Sequence, residues 1–352
     1  MFKKISGLFS PSRELSVSVR GQELEFKVPR GQTILESALH HGIAFPHDCK
    51  VGTCGACKYK LASGKISELV SSAMGLSGEL YQAGYRLGCQ SIPKTDLEIE
   101  LDSELGKAVV PESTAALISE QKNLAHDVIE LTLAPEKPIT FYPGQYADIE
   151  YPELSVVRSY SFSTPSQVDG TLKFHVRLVP GGVFSGWLFG GDRTGTTVNL
   201  QAPYGQFGLH ESDDLMVCVA GGTGLAPIKC ILESMTGTQR DRDVFLFFGV
   251  RQQRDLYCLE DIQALQENWG GRFELIPVLS EEPETSSWTG KRGLVTEYFR
   301  EFLQGRSCEA YLCGPPPMVD AAETELVRLG ATPESIYADR FYNTATGPSQ
   351  KQ

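Results

Sequence analysis

Cys49-Lys50-Val51-Gly52-Thr53-Cys54-Gly55-Ala56-Cys57 sets three thiols in a C-x4-C-x2-C loop, and a fourth, Cys89, closes the stretch Gly84-Tyr85-Arg86-Leu87-Gly88-Cys89. Four thiolates in that order suit a plant-type 2Fe–2S cluster. The glycines fit the same reading. Gly52, Gly55 and Gly88 permit positive φ and leave backbone N–H groups able to point at sulfur. The alternatives are a structural zinc site or unpaired buried thiols. Zinc sites usually match one C-x2-C with a second, or with a histidine pair, and here the second half is a lone cysteine.

The wider composition agrees with a reducing, intracellular setting. The cysteine count is nine, an odd number, and the remaining five (Cys218, Cys230, Cys258, Cys308, Cys313) are scattered singly. A disulfide framework would suit a smaller, secreted chain. No secretory signal is read in residues 1–10, and apolar runs such as Val244 to Val250 fall far short of the ~20 residues needed to span a bilayer. A cytoplasmic protein without a transmembrane segment is expected. The net charge of −12 argues against nucleic acid as a partner. Residues 1–105 hold 12 Lys/Arg and 12 Asp/Glu, so the excess lies wholly in the remainder.

At 352 residues the chain calls for two or three domains. Working outward from the cysteine loop, Leu15–Arg20 and Glu23–Pro29 alternate in polarity around Gly21-Gln22 and predict a hairpin, with Val17, Val19, Leu24, Phe26 and Val28 inward. Thr33 and Glu36 predict a capped helix burying Leu35, Ala38 and Leu39. This defines a first domain over 1–105, followed by a linker at 106–113 punctuated by Pro111. From 114 to 210 short strands recur between Pro and Gly turns, which predicts an antiparallel barrel. From 211 to 346 apolar strands alternate with helical stretches, which predicts an α/β domain with a parallel sheet. Residues 347–352 read as a tail.

Two stretches of the middle segment carry chemistry. Arg158-Ser159-Tyr160-Ser161 supplies what a flavin site asks for: a cation for pyrophosphate, a ring to stack on isoalloxazine, and hydroxyls. An amphipathic edge strand would look similar. Gly181-Gly182-Val183-Phe184-Ser185 opens a helix and offers backbone N–H groups to phosphate, or is a plain glycine turn. In the last segment, Gly221-Gly222-Thr223-Gly224-Leu225-Ala226-Pro227 follows an apolar strand and precedes a helix. It is not the G-x-G-x-x-G fingerprint, yet its glycines let backbone approach a pyrophosphate. Cys313-Gly314-Pro315-Pro316-Pro317-Met318 ends the last apolar strand. Asp255, in Gly249-Val250-Arg251-Gln252-Gln253-Arg254-Asp255-Leu256, would disfavour a 2′-phosphate on an adenosine ribose, whereas Arg251 or Arg254 would welcome one.

In this order the motifs resemble the ferredoxin–NADP reductase superfamily, and specifically the oxygenase reductases that begin with a plant-type ferredoxin domain. The resemblance spans nearly the whole chain. It implies a β-grasp-like ferredoxin domain, an FAD-binding antiparallel β-barrel and an NAD-binding α/β domain. Cys49, Cys54, Cys57 and Cys89 would hold the cluster. Arg158 would meet the FAD pyrophosphate, Tyr160 the ring and Ser161 its N5, with Ser159 beside them. Gly182, Val183 and Ser185 would lie at the phosphates, and His175, Val176 and Arg177 on the strand between. Gly222, Thr223, Gly224, Pro227, Asp255, Cys313, Gly314, Pro315 and Met318 would receive NADH, and Phe341 in Asp339-Arg340-Phe341 would cover the flavin. Family members more often carry Glu where Asp339 stands.

The implied activity is NADH-dependent electron transfer through FAD and the cluster to a terminal oxygenase. No general acid or base is required, so no catalytic residue is assigned. The Phe2-Lys3-Lys4-Ile5-Ser6-Gly7-Leu8-Phe9 opening and the Pro46-His47-Asp48-Cys49-Lys50 loop resemble reductases of xylene/toluene-type monooxygenases, whose partner is a membrane-embedded diiron hydroxylase. Reductases of Rieske dioxygenases or of soluble diiron monooxygenases are the second reading. Phe2, Ile5 and Phe9 would share one face of a short helix, with Lys3 and Lys4 toward anionic headgroups, giving weak membrane-surface contact through residues 2–9. Two rivals differ in class. A zinc-binding interaction protein would be colourless, and a self-sufficient flavin hydroxylase would need no second protein.

Overall fold

The computed structural model describes residues 14–47, 50–70, 75–101 and 110–342. The chain divides into two compact units that meet in sequence at Val110 and Pro111. In the first, β1 (Leu15–Val19) and β2 (Leu24–Val28) form the expected hairpin, with Val17, Val19, Phe26 and Val28 buried and Leu24 only half so. Thr33 caps α1 (Ile34–His40) in a reciprocal box with Glu36, which satisfies two orphan N–H groups at the helix start. Then come β3 (Lys58–Ser63), β4 (Ile66–Glu68), α2 (Gly78–Gln82), β5 (Tyr85–Leu87), β6 (Ser91–Pro93) and β7 (Leu97–Glu100). The main sheet runs β2-β1-β7-β3-β5, with β1 and β7 parallel, and α1 packs Ile34, Leu35, Ala38 and Leu39 into the core. A helix laid on a mixed sheet in this order is the β-grasp arrangement.

The second unit opens with β8 (Glu112–Ala125), then β9 (Val128–Pro135), β10 (Tyr146–Tyr151), β11 (Val156–Ser161), β12 (Leu172–Arg177), α3 (Val183–Phe189) and β13 (Thr197–Tyr204). β8 begins at Glu112, where Glu112 and Ser113 already pair with Ala202 and Gln201. These six strands form one antiparallel sheet, β11-β10-β13-β8-β9-β12. Phe162 bridges Phe174 across its two edges and curls it into a barrel. Alternation then decides the faces. In β12, Leu172, Phe174 and Val176 fill the barrel, so Lys173, His175 and Arg177 point outward.

The rest is a parallel sheet. β14 (Leu215–Gly221), α4 (Leu225–Ser234), β15 (Val244–Val250), α5 (Leu259–Glu267), β16 (Phe273–Leu279), β17 (Lys291–Arg292), α6 (Phe299–Leu303), β18 (Cys308–Gly314), α7 (Pro316–Arg328) and β19 (Ile336–Arg340) follow in order. The strands lie β17-β16-β15-β14-β18-β19. α4 and α5 bury Ile228, Ile231, Ile262 and Leu265 on one face, and α6 and α7 bury Phe299, Phe302, Val319 and Leu326 on the other. The chain leaves β14 toward one edge and returns to β18 on its other side, which opens a crevice at the carboxyl ends of these strands.

One ion pair lies inside this layer. Arg242 Nη2 donates to Glu309 Oε2 at 3.0 Å, both side chains being about 5% exposed, and Arg242 Nε donates to the Asp214 carbonyl at 2.9 Å. Arg242→Met strands a buried carboxylate and is expected to cost about 3–5 kcal/mol. Adding Glu309→Leu should recover most of that loss. Calorimetric melting of the two variants checks this, and equal losses in both would refute it.

Candidate functional site

The cysteine loop is built from conformations that side chains resist. Lys50 (φ 56°), Gly52 (φ 83°) and Gly55 (φ 78°) all sit in the left-handed region. A Cβ on Gly55 would stand 2.4 Å from the Gly75 carbonyl oxygen, and one on Gly88 would stand 2.9 Å from the Phe45 ring. The turn brings Cys57 Sγ within 3.3 Å of Cys89 Sγ. That is far longer than a disulfide. Ala56 N–H donates to Cys54 Sγ at 3.4 Å, and Gln90 Nε2 donates to Cys89 Sγ at 3.6 Å. The hydrogen bond with Cys89, then burial and the Cys54 charge, push the Cys57 thiol far above its usual range. Sulfurs crowded against charge repulsion and supplied with N–H donors fit a cationic iron–sulfur group. Cys49 lies outside the described residues, as do Asp48 and Phe2 to Phe9.

In the barrel, Arg158 and Tyr160 share one face of β11, and Ser159 and Ser161 the other. Arg158 is exposed. Ser159 Oγ donates to Asp148 Oδ1 at 2.6 Å, and Ser161 is buried. The Tyr160 ring lies 5.7 Å from Phe184, which places β11 beside the first turn of α3. Arg158, Tyr160, Gly182 and exposed Val183 are thus brought together. Ser185 is turned into its own loop. Its buried hydroxyl accepts from Val179 N–H at 3.1 Å and holds its own loop. Val176 lies in the barrel core, and His175 faces the parallel-sheet layer with a fully inaccessible side chain. Arg177 pairs with Asp127 at 2.7 Å.

At the crevice lies a cleft of about 510 Å³, lined by Gly221, Gly222, Tyr257, Val278, Val295, Pro315 and Met318 with Arg177 and Asp127 from the barrel. Its two loops touch. A Cβ on Gly224 would stand 2.2 Å from the Cys313 carbonyl oxygen, and one on Gly314 (φ 144°) would stand 2.9 Å from Gly221 Cα. Thr223 is half-buried; Pro227 is buried in α4. Cys313 is buried, which pushes its thiol well up, and it reaches Asp339 Oδ2 at 3.9 Å. Phe341 N–H donates to the Gly314 carbonyl at 2.8 Å and holds the end of β19 against this loop. Asp255 lines the cleft, but its carboxylate is committed: Oδ2 accepts from Gln252 N–H at 2.9 Å, and Oδ1 lies 3.4 Å from His126 of the barrel. The open charges at the rim are Arg251 and Glu281, 3.9 Å apart. Sequence reasoning did not single out His126, Asp127 or Glu281. Glu281 had a signal, since it follows the carboxyl end of a parallel strand.

An antiparallel barrel followed by a parallel-sheet layer with a glycine-lined crevice is the layout of a nucleotide-dependent flavoprotein oxidoreductase. Family models for a 2Fe-2S iron-sulfur cluster binding domain, an oxidoreductase FAD-binding domain and an oxidoreductase NAD-binding domain match residues 17–94, 115–208 and 218–324. The chain is 75% identical over 342 residues to the xylene/toluene monooxygenase electron transfer component XylA of Pseudomonas putida, covering 97% of this chain and 98% of that one. It is 35% identical to the reductase subunit of an aromatic O-demethylase of Amycolatopsis, covering 93% and 98%. Among solved structures it resembles the Amycolatopsis cytochrome P450 reductase GcoB, with a TM-score of 0.84, 34% identity and coverage of 93% and 98%. The chain belongs to the family of three-domain iron–sulfur flavoprotein reductases that act as electron-transfer components of oxygenases. Its activity is NADH-driven electron transfer, by way of FAD and a 2Fe–2S cluster, to a terminal oxygenase.

Burial lowers His175 from 6.5 to about 3, so the folded protein holds it neutral. Between those values the unfolded chain binds a proton that the folded one refuses. This contribution to stability is therefore whole above about pH 6.5 and is lost as pH falls toward about 3, at most about 1.4 kcal/mol per pH unit. His175→Leu should show a smaller drop in melting temperature than the parent between about pH 7 and pH 5. Parallel curves would contradict it.

Proposed function

We propose that the chain supplies electrons to a monooxygenase of alkyl-aromatic hydrocarbons, of the xylene/toluene type, and works in the cytoplasm at the surface of a membrane that holds its partner. The observation that carries this is the 75% identity to the xylene/toluene monooxygenase component, running over 97% of the chain. Among the described residues no helix is long and apolar enough to cross a membrane, so a membrane partner would be met from its surface. Residues 2–9 offer four apolar side chains, Phe2, Ile5, Leu8 and Phe9, and two lysines, sufficient for weak, reversible attachment.

Within this reading Cys49, Cys54, Cys57 and Cys89 hold the cluster, and the other five cysteines do not. Arg158, Tyr160, Gly182 and Val183 hold FAD, and Gly222 to Gly224, Gly314, Pro315 and Met318 hold the nucleotide. What the bound groups supply is conversion of a two-electron hydride into single electrons. The chain's part is to place and to shield. Cys313 positions the nicotinamide, and Phe341 covers the flavin until nucleotide arrives. With Asp255 spent on Gln252 and His126, recognition of the adenosine 2′-position falls to Arg251 and Glu281.

Cys89→Ser should abolish the visible iron–sulfur spectrum while NADH still reduces the flavin; unchanged iron content in that variant would count against the ligand set. For the partner, deletion of residues 2–10 should leave cytochrome c reduction intact and lower turnover with vesicles carrying the xylene-type monooxygenase. If both rates are untouched, the docking role is wrong. If the full chain drives only a soluble diiron or Rieske oxygenase, the partner is wrong.

A further inference from the structure

We infer that Tyr257 and His175 are positioning residues for the nicotinamide nucleotide, linked in a hydrogen-bond chain that runs from the barrel to the Gly222 carbonyl. The inference rests on the reading of Gly222 to Gly224 as the nucleotide loop. Gly222 has φ 54°, a conformation that leaves its peptide easily turned. Its carbonyl is held from two sides: Leu225 N–H donates to it within the turn, and Tyr257 Oη donates to it at 3.1 Å. A trans peptide sets C=O and N–H in opposite directions. Fixing the Gly222 carbonyl therefore also fixes where the Thr223 N–H points.

The second link follows from proton counting. A tyrosine has one hydroxyl proton, and here it is used on Gly222. His175 Nδ1 lies 3.4 Å from the same oxygen, so Nδ1 must carry the proton and donate. That leaves Nε2 bare, and among the described residues Nε2 has no hydrogen-bond partner; a carboxylate oxygen of Glu130 is 4.0 Å away. A buried ring nitrogen without a partner costs stability, so packing alone would favour leucine at this place. Donation to Tyr257 gives the imidazole a reason to be there. The resemblance set His175 beside the flavin, but its side chain is sealed between the barrel's outer face and Tyr257, ring to ring at 5.3 Å and 80°. Tyr257 also packs edge-on against Phe248 at 5.6 Å. Removing the hydroxyl alone therefore leaves the packing in place.

The test uses the full chain with FAD and cluster bound. Tyr257→Phe is expected to raise both the calorimetric Kd for NAD+ and the KM for NADH by about five-fold, the worth of one hydrogen bond. The limiting rate of flavin reduction should fall by less, with FAD content unchanged. His175→Leu should reproduce the effect, the double variant should add little to it, and His175→Asn, which keeps a donor where Nδ1 stands, should restore affinity. Unchanged Kd and KM in Tyr257→Phe would overturn the proposal. So would a changed FAD content or flavin spectrum in His175→Leu, which would return that residue to the flavin. Failure of the parent protein itself to bind NAD+ would sink the nucleotide-loop reading and the chain of hydrogen bonds with it, whereas failure confined to the variants sinks only the latter.

Discussion

Two backbone loops meet at the crevice with no room for a side chain between them. Gly224 faces the Cys313 carbonyl, and Gly314 faces Gly221, at distances that even a methyl group would violate. The cleft depends on this contact. It allows β14 and β18 to end side by side, sets α4 and α7 at their starting angles, and leaves Met318 and Pro315 to wall the space above Gly221. Phe341 joins the same contact through the Gly314 carbonyl. One missing Cβ at each position thus fixes the floor of the cleft and what lies across from it.

The barrel meets this layer through polar groups as well as apolar ones. Glu130, Lys173, His175 and Arg177 point outward from β9 and β12, and Lys229 and Glu233 answer from α4, their charges 2.5 Å apart. Lys229 is almost wholly buried; burial opposes its charge, but Glu233 outweighs that and keeps its pKa raised. The polar contacts that cross between the layers are His126 with Asp255 at 3.4 Å and Tyr257 with His175 at 3.4 Å, and parting them would leave each partner unmatched. They also fix register in a way that an oily seam would not.

Much of this was legible in the sequence, for reasons that differ by element. The six barrel strands and four of the parallel strands announced themselves through periodicity, and Thr33 with Glu36 named its helix start outright. β19 did not, since Ile336–Arg340 is half-buried throughout and carries Asp and Arg among its five residues. The glycine loops were readable as loops, because only their backbone demands are encoded locally. The destinations of side chains were harder to read. His175 and Val176 were assigned to a cofactor by their place in a motif, yet alternation turns one into the barrel core and the other toward Tyr257. Ser185 and Asp255 were matched to a ligand by residue type, and both are engaged by neighbouring backbone N–H groups. A residue's type states what it can bind, and only the fold states what has already taken it.

β8 leads directly from the junction with the first unit and runs for 14 residues. Its first part, Glu112 to Leu117, is laddered to β13 and the rest, from Ala116 on, to β9, and it ends at the turn that carries His126 and Asp127. A pull along the axis of β8 would load both ladders. Force applied that way must shear many hydrogen bonds together, whereas a pull across an edge strand would unzip them singly. β8 therefore holds its far turn, and with it Asp127 at the wall of the cleft, against a pull on its near end.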